Sequence, residues 1–459
     1  MKRKQNLEVF GKAPIRKAVL LQVVPAVASQ MVTLVYNLAD TYFVGMLNAP
    51  HETAAVTVAY PSFLMLTAIS NLFGVGGASA IAQALGRQDE EGARRIAAVS
   101  LAGGLLSALL FSAAFWLLAD PVLHLCGATE DTYAIAYGYA KWVVMLGGPF
   151  TILNTLLANL VRAEGGAGAA AFGVSFGGVL NILLDPLFVL PQFLGLGAVG
   201  AGMATALSNG AAVACFAVYL IRRRGATYLN LLPENLRYAA QYLRPILAIG
   251  FPSALQYALT VVATAAQAGF VSQYPTEAVA ALGIVKKLDQ LPLYFSIGVS
   301  NGLLPLLAYN HAAGNHQRRT QAFRMGSLMS FGFAVLCLVC YEAFATPLVS
   351  LFIADAATVR YGAVFLRCMV TAMPMMALCY PMIIQFQAMG RARESLICSI
   401  LRKGVLDIPL LYLMDALFPL YGCMWVQPIV DAISLAAALW FYRAIQRGGA
   451  AGGAAPAGA

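Results

Sequence analysis

The sequence predicts an all-α membrane protein of twelve transmembrane helices, arranged as two pseudo-symmetric lobes of six helices each. Three observations support this fold class: the composition is strongly apolar, apolar runs recur along almost the whole chain, and the two halves of the chain resemble each other. Sixty per cent of the 459 residues are hydrophobic and only 11% are charged, whereas a soluble domain carries about 25% charged residues. The composition therefore argues against a soluble protein.

The apolar runs are long enough to cross a membrane as helices, because roughly 20 apolar residues span the ~30 Å hydrocarbon core. Backbone groups in lipid must be satisfied internally, which favours helices. A β-barrel would need ~10-residue segments of alternating polarity, which are not visible. Span 1 is too long for a cleaved signal peptide. The predicted spans, named span 1 to span 12 in chain order, lie at about 15–39, 54–84, 93–118, 133–161, 167–190, 198–221, 240–271, 279–309, 320–343, 358–388, 395–414 and 421–443.

Positively charged residues occur in alternate loops. Lys and Arg cluster before span 1 and after spans 2, 4, 6, 8, 10 and 12, whereas the intervening loops carry none except Arg360 at a helix edge. Because cytoplasmic loops are enriched in Lys and Arg, we expect a multi-pass protein of the cell (plasma or inner) membrane with both termini in the cytoplasm. The same pattern accounts for the net charge of +9, so no nucleic-acid partner is expected.

The second half of the chain repeats the first at an offset of about 225 residues. Pro25 aligns with Pro252, and Asp185 aligns with Asp407. Six spans per half give both halves the same orientation, as in transporters that bind substrate between parallel repeats. The predicted segments are a cytoplasmic N-terminal segment at 1–14, an N lobe of spans 1–6 at 15–221, a cytoplasmic linker at 222–239, a C lobe of spans 7–12 at 240–445, and a Gly/Ala-rich tail at 446–459.

The strongest candidates for a functional site are polar residues inside spans of the N lobe, where a charge costs about 2.5–3.5 kcal/mol or more. Asp40 follows Tyr36 and Asn37 by four and three residues, so the three share one face of span 1. Asn181 and Asp185 share a face of span 5 in the same way. We expect these side chains to face a cavity, and Asn37 is also a candidate for contact with substrate.

Two carboxylates in one poorly solvated cavity cannot both be ionised without cost. Asp40 and Asp185 could therefore exchange a proton near neutral pH or share a desolvated Na⁺, and the residues leave both ions open. Thr205 in span 6 adds a hydroxyl group. The alternative interpretation is a set of interhelical hydrogen bonds that only packs the N lobe.

Weaker candidates for a substrate cavity lie in the C lobe. Lys286 and Asp289 can pair at i, i+3 in span 8 beside Lys287, and Met373 and Met376 would give an adaptable surface in span 10. A structural ion pair and ordinary core packing are the alternatives. No Walker A sequence, Rossmann fingerprint or nucleophile elbow occurs, and the four His lack metal-ligand spacing. We therefore expect no enzyme activity, no cofactor and no firm metal site.

Several longer segments of the chain carry a resemblance to a known family. The segments are PAVASQMVTLVYNLADTYFVGML at 25–47, LFGVGGASAIAQALGRQDEEGAR at 72–94, NILLDPLFV at 181–189, GLGAVGAGMATALSN at 195–209 and YNHAAGNHQRR at 309–319. They resemble the multidrug and toxic compound extrusion (MATE) family, and most closely its MepA/DinF-type branch, and the resemblance covers nearly all of residues 10–445. It implies twelve spans in two six-helix lobes and secondary active efflux of drugs or toxic metabolites, often cationic, in exchange for H⁺ or Na⁺.

The resemblance also implies where the ion couples to transport. In DinF-type members the coupling site lies in the N lobe, and its residues match Tyr36, Asp40, Asn181, Asp185 and Thr205 of this chain. The last four of these would hold Na⁺ if that is the coupling ion.

The same resemblance assigns Pro25 as a hinge in span 1, proposed to bend on protonation. The NorM-type branch instead uses carboxylates in the seventh and tenth helices, whereas residues 245–271 and 361–388 here contain no Asp or Glu. Coupling in the C lobe is therefore not expected. The exporter is expected to work as a monomer in contact with membrane lipids.

Two other functions remain as alternatives. One is a flippase for lipids or lipid-linked oligosaccharides from the same superfamily, which typically carries extra spans or a more cationic central cavity. The other is a membrane protein that does not transport, such as a receptor or an enzyme scaffold. Export of a fluorescent cationic dye would separate both from a drug exporter.

Overall fold

The computed structural model describes residues 8–47 and 49–452, and within these ranges the chain forms helices and no β-strand. Most of the predicted spans are single helices that are long and apolar enough to cross a membrane. They are spans 1, 2, 3, 5, 6, 7, 8, 9 and 12, at Ile15–Gly45, Pro50–Gly86, Glu90–Leu125, Ala167–Val189, Gly197–Arg222, Ala239–Val271, Thr276–Ala312, His316–Ser350 and Gly422–Gly452.

Spans 4 and 10 are bent. Span 4 consists of Glu130–Ala140, a π-helical turn at Lys141–Leu146 and Gly148–Ala163, with a bend of 47°; span 10 consists of Ala356–Val370 and Met373–Ala388, with a bend of 44°. In each span a proline, Pro149 or Pro374, lies in the first turn of the second helix. Proline lacks the N–H that would continue the hydrogen bonds of the preceding helix, which explains why the breaks occur at equivalent positions of the repeat.

Span 11 departs from the prediction of one continuous helix. It consists of Ala392–Lys403 and Asp407–Leu417, separated by a turn that begins at Gly404, and each part is too short to cross the hydrocarbon core alone. Helices also occupy the other eleven predicted spans, so the predicted all-α membrane fold is confirmed. A short helix at Pro233–Leu236 lies in the predicted linker.

The helices pack in the same order in the two halves. In the first half, span 2 packs against spans 3 and 4, and span 5 packs against spans 1 and 6. In the second half, span 8 packs against spans 9 and 10, and span 11 packs against spans 7 and 12. The chain therefore forms the two equivalent lobes that the repeat predicts. The exact residue limits of the lobes stay a prediction, and residues 1–7 and 453–459 of the predicted terminal segments lie outside the described residues.

The lobes meet most closely at the end of the molecule that holds the linker 222–239, which we call the linker end. Span 1 packs against span 8, and span 2 packs against span 7. At Gly250 a Cβ would lie 1.8 Å from the carbonyl oxygen of Leu72, and at Gly302 it would lie 2.7 Å from the carbonyl oxygen of Gln22. Only glycine permits such backbone contact, so the two lobes touch backbone to backbone at the linker end.

Hydrogen bonds also hold the linker end together. The guanidinium group of Arg318 donates to the carbonyl oxygens of Phe10 at 2.7 Å, Val9 at 3.2 Å and Ala13 at 2.5 Å. Ser79 donates its hydroxyl to the carbonyl oxygen of Gln387 at 2.8 Å. These bonds join residues that precede or belong to the N lobe to residues of the C lobe.

The apolar core is continuous at the linker end and divided at the opposite end. One buried cluster at the linker end contains residues of both lobes, from Val19 and Ile81 to Leu303 and Phe386. Toward the opposite end the buried apolar residues fall into two separate clusters, one in each lobe. The structure therefore shows the lobes sealed together at the linker end and separately packed at the other.

Candidate functional site

The polar residues predicted in spans 1 and 5 come together inside the N lobe. Span 5 approaches span 1 at Gly178, where a Cβ would lie 2.7 Å from Val32 and 3.1 Å from the ring of Tyr36. One and two turns further along span 5, Asn181 and Asp185 are buried, and the Asn181 amide donates to Asp185 Oδ1 at 3.2 Å. The small residue at position 178 thus allows the polar faces of the two helices to meet.

The two carboxylates form one electrostatic unit. Asp40 acts on Asp185 as a neighbouring negative charge, and Tyr36 lies close enough to interact with both. Asp40 Oδ1, Asp185 Oδ2 and Asn181 Oδ1 are buried, and no hydrogen bond to them exists among the described residues. Leaving a buried acceptor unsatisfied costs about 1–3 kcal/mol. The donor set, two carboxylates and an amide oxygen, fits a proton or a hard monovalent cation.

Other predicted residues lie near this site with fewer direct contacts. Thr205 is buried on span 6, which packs against span 5, and its carbonyl oxygen accepts from Ser208 and Asn209. Pro25 lies within span 1, which is helical from Ile15 to Gly45. Asn37 points to the other lobe, where its amide donates to the Tyr294 hydroxyl at 3.1 Å.

Sequence reasoning missed Tyr139. This buried tyrosine of span 4 interacts electrostatically with Asp40, Asp185 and Tyr36. It lies two residues before the start of the π-helical turn Lys141–Leu146, and such turns often occur at functional sites. A neutral aromatic residue in an apolar run gives no charge signal, and the wide turn cannot be read from the sequence.

The C-lobe candidates occupy two different environments. Lys286 borders a small polar cavity inside the C lobe, and Asp289 interacts electrostatically with it. Met373 and Met376 are both buried, and Met373 belongs to the apolar cluster of the C lobe. Lys287, the residue after Lys286, is half-buried. The structure therefore places Lys286 near Asp289 on span 8 and buries both methionines in span 10.

Within the described residues no group of three or more His, Cys, Asp or Glu side chains is arranged to hold a metal ion. The N-lobe site has only two carboxylates. A divalent metal centre of the usual kind, with several charged ligands, does not match this donor set.

Comparison with known proteins gives consistent matches over nearly the whole chain. The MatE family model matches twice, at residues 25–187 and 252–413, so the two matches begin at the aligned prolines Pro25 and Pro252. The chain is 30% identical over 438 residues to the multidrug export protein MepA of Staphylococcus aureus strain NCTC 8325, covering 95% of each protein. It is 28% identical over 435 residues to MepA of Staphylococcus saprophyticus, again covering 95% of each.

Among solved structures, the chain is similar to an outward-facing conformation of a multidrug resistance MATE family transporter of the MOP superfamily. The TM-score is 0.89 at 24% identity, covering 96% of this chain and 98% of the other. This similarity supports the fold of two six-helix lobes described above. The duplicated match of the family model and the 30% identity to MepA show that this chain belongs to the MatE (multidrug and toxic compound extrusion) family of membrane transporters.

Proposed function

We propose that this protein is a secondary active exporter that exchanges H⁺ or Na⁺ for small, often cationic, organic compounds by alternating access. The observation that carries the proposal is the pair of carboxylates, Asp40 and Asp185, which interact inside the N lobe. Each has a buried oxygen that accepts no hydrogen bond from the part of the chain that the structure describes. The names of its relatives, multidrug export proteins, support drugs or toxic metabolites as substrates.

Exchange follows from the charges of the site. When Asp40 and Asp185 are both ionised, their repulsion is relieved by a bound cation; a proton on one carboxylate removes the repulsion equally well. A cationic substrate in the same lobe competes with the ion because it favours the doubly ionised form. A tenfold coupling between ion and substrate requires about 1.4 kcal/mol of differential binding, which is modest for two charges in a buried site.

The sidedness of the molecule follows from its charged loops. The linker end carries the clusters of Lys and Arg, so we assign it to the cytoplasm together with both termini, in the cell membrane. The lobes are sealed at that end, so the arrangement corresponds to the state that releases substrate outside and takes up the coupling ion. The active unit is a monomer surrounded by membrane lipid.

Transport by purified protein in vesicles tests the proposal. Efflux of a fluorescent cationic dye is followed under an imposed H⁺ gradient and, separately, an imposed Na⁺ gradient. Acceleration by either gradient supports coupled export and identifies the ion. Dye movement that is independent of both gradients would contradict the proposal. Movement of a labelled lipid without dye transport would favour the flippase.

A further inference from the structure

The C lobe contains a small polar cavity that the proposed mechanism does not use. Its volume is about 10 Å³, which is room for about one water molecule. Four spans contribute polar side chains to it: span 7, span 8, span 11 and span 12. These side chains are Thr264, Gln267, Lys286, Lys403, Asp407 and Gln427.

This cavity is the repeat copy of the N-lobe site. With Pro25 aligned on Pro252, Asp40 aligns with Gln267, and the Phe-Val pairs at 43–44 and 270–271 fall into register. With Asp185 aligned on Asp407, Asn181 aligns with Lys403 and Thr205 aligns with Gln427. Each of these aligned residues of the C lobe borders the cavity, so the structure brings together the same set of positions in both lobes.

Two of the substitutions in the copy change its charge relative to the N-lobe site. The carboxylate of Asp40 is replaced by the amide of Gln267, which donates to the carbonyl oxygen of Cys423 at 3.1 Å. The amide of Asn181 is replaced by the ammonium group of Lys403, which donates to Gln427 Oε1 at 2.6 Å. Asp407 keeps its carboxylate.

The charges of the copy balance without any bound ion. Lys403 attracts the carboxylate of Asp407, which is 5% exposed and whose Oδ2 accepts no hydrogen bond among the described residues. Lys286 and Asp289, three residues apart on span 8, add one charge of each sign. The N-lobe site, in contrast, holds two carboxylates with no basic side chain among the groups that act on them.

We propose that the Lys403 ammonium group stands in the C lobe where the N lobe binds its exchangeable cation. The copy therefore carries a permanent, tethered cation and exchanges none. This inference rests on the proposed function, because it presupposes that the N-lobe site binds H⁺ or Na⁺. It adds two statements. The chain has one site for an exchangeable ion, and removal of the Lys403 ammonium group creates a second site for a monovalent cation.

The test isolates the C lobe in a chain whose N-lobe site is disabled by Asp40→Asn. Purified protein in detergent is assayed for ²²Na⁺ bound at pH 8 and for protons taken up between pH 8 and pH 5. Asp40→Asn alone should lose the ion binding of the parent. Adding Gln267→Asp and Lys403→Asn, which gives the C lobe the two carboxylates and the amide of the N-lobe site, should restore about one ion per chain.

The outcomes separate the two ideas. If Asp40→Asn keeps the full ion binding of the parent, the proposed function fails. If Asp40→Asn loses binding and the folded triple variant does not regain it, the proposed function stands and the tethered-cation inference is overturned.

A rescue experiment tests the tether without rebuilding the site. Lys403→Ala leaves space and an unbalanced carboxylate, so n-propylammonium should raise its Tm by a few degrees relative to choline at the same concentration. The matched control is Lys287→Ala, which removes a lysine of span 8 that does not border the cavity. Equal responses of the two variants, or no response of Lys403→Ala, would also overturn the inference.

Discussion

Asn37 of span 1 donates a 3.1 Å hydrogen bond to the hydroxyl of Tyr294 in span 8 and so joins the two lobes. Among the described residues, the other hydrogen bonds between the lobes lie at the linker end. Asn37 precedes Asp40 by three residues on the same helix face. In the proposed mechanism, a movement of span 1 on ion binding at Asp40 would reach the C lobe through this bond.

The first prediction concerns the source of the driving force. Asp40→Asn should abolish uphill dye export, because an amide cannot take up the coupling proton or balance a cation. Asp120→Asn, at an exposed carboxylate near the other end of the molecule, is the control and should export like the parent. Gradient-driven efflux from vesicles is the measurement, and uphill export by Asp40→Asn would refute the N-lobe assignment.

The second prediction concerns the sharing of charge between Asp40 and Asp185. In the parent, a cationic substrate should bind more weakly as the pH falls, because protons compete for the pair. Asp185→Asn removes the neighbouring negative charge, so the pH midpoint of substrate binding should move to lower pH and the dependence should flatten. Binding curves from pH 5 to pH 9 measure this; an unchanged midpoint would show that the residues act independently.

The third prediction concerns closure of the linker end. In Gly250→Ala the new Cβ would meet the Leu72 carbonyl oxygen at 1.8 Å, so the lobes should separate there and the population should shift toward the state open at the linker end. Gly269→Ala, on the same span with open space around it, is the matched control. Spin-label distances across the linker end should lengthen only in the first variant; identical distance distributions would contradict the contact.

The fourth prediction concerns membrane topology. In a background without the native cysteines, Ser272→Cys should react with an impermeant thiol reagent added outside cells, and Arg94→Cys should not. Both positions are exposed, so accessibility in the protein does not explain a difference. Reaction of both positions from outside, or of position 94 alone, would reverse the assignment of the linker end to the cytoplasm.

The fifth prediction concerns a buried ion pair. The guanidinium Nε of Arg402 lies 2.9 Å from Asp431 Oδ1, and both side chains are at most 2% exposed. Asp431→Asn leaves Arg402 charged and unpaired, so stability should fall by about 3–5 kcal/mol. The double variant Arg402→Met, Asp431→Leu should recover most of the loss. Thermal unfolding in detergent measures both, and a stable Asp431→Asn would show that the pair contributes little.

Much of the fold could be predicted because hydropathy and loop charge act over whole segments. Twenty apolar residues have few alternatives to a membrane helix, and aligned prolines such as Pro25 and Pro252 reveal the duplication. The break at Gly404 was not predicted, since one glycine in an apolar run is compatible with either a continuous or an interrupted helix.

The site was harder to predict than the fold. Asp40 and Asp185 could be identified as candidates from the sequence because a charge in a membrane span is energetically costly. The structure places the two residues together. Tyr139, Gln267 and Lys403 gave no comparable signal. Tyr139 is neutral, Gln267 carries no charge, and Lys403 lies close to a predicted cytoplasmic loop, so their roles depend on which helix faces meet.

The contact of Arg318 with the carbonyl oxygens of residues 9, 10 and 13 has a mechanical consequence. These residues lead directly into span 1, so three charge-assisted hydrogen bonds attach the start of the N lobe to the C lobe. In the proposed alternating-access cycle, opening of the linker end would either break these hydrogen bonds or move residues 9–13 with the C lobe and displace the part of span 1 that precedes Pro25. Either event adds to the energy needed to open the linker end, so changes to Arg318 or to residues 9–13 should alter the turnover rate.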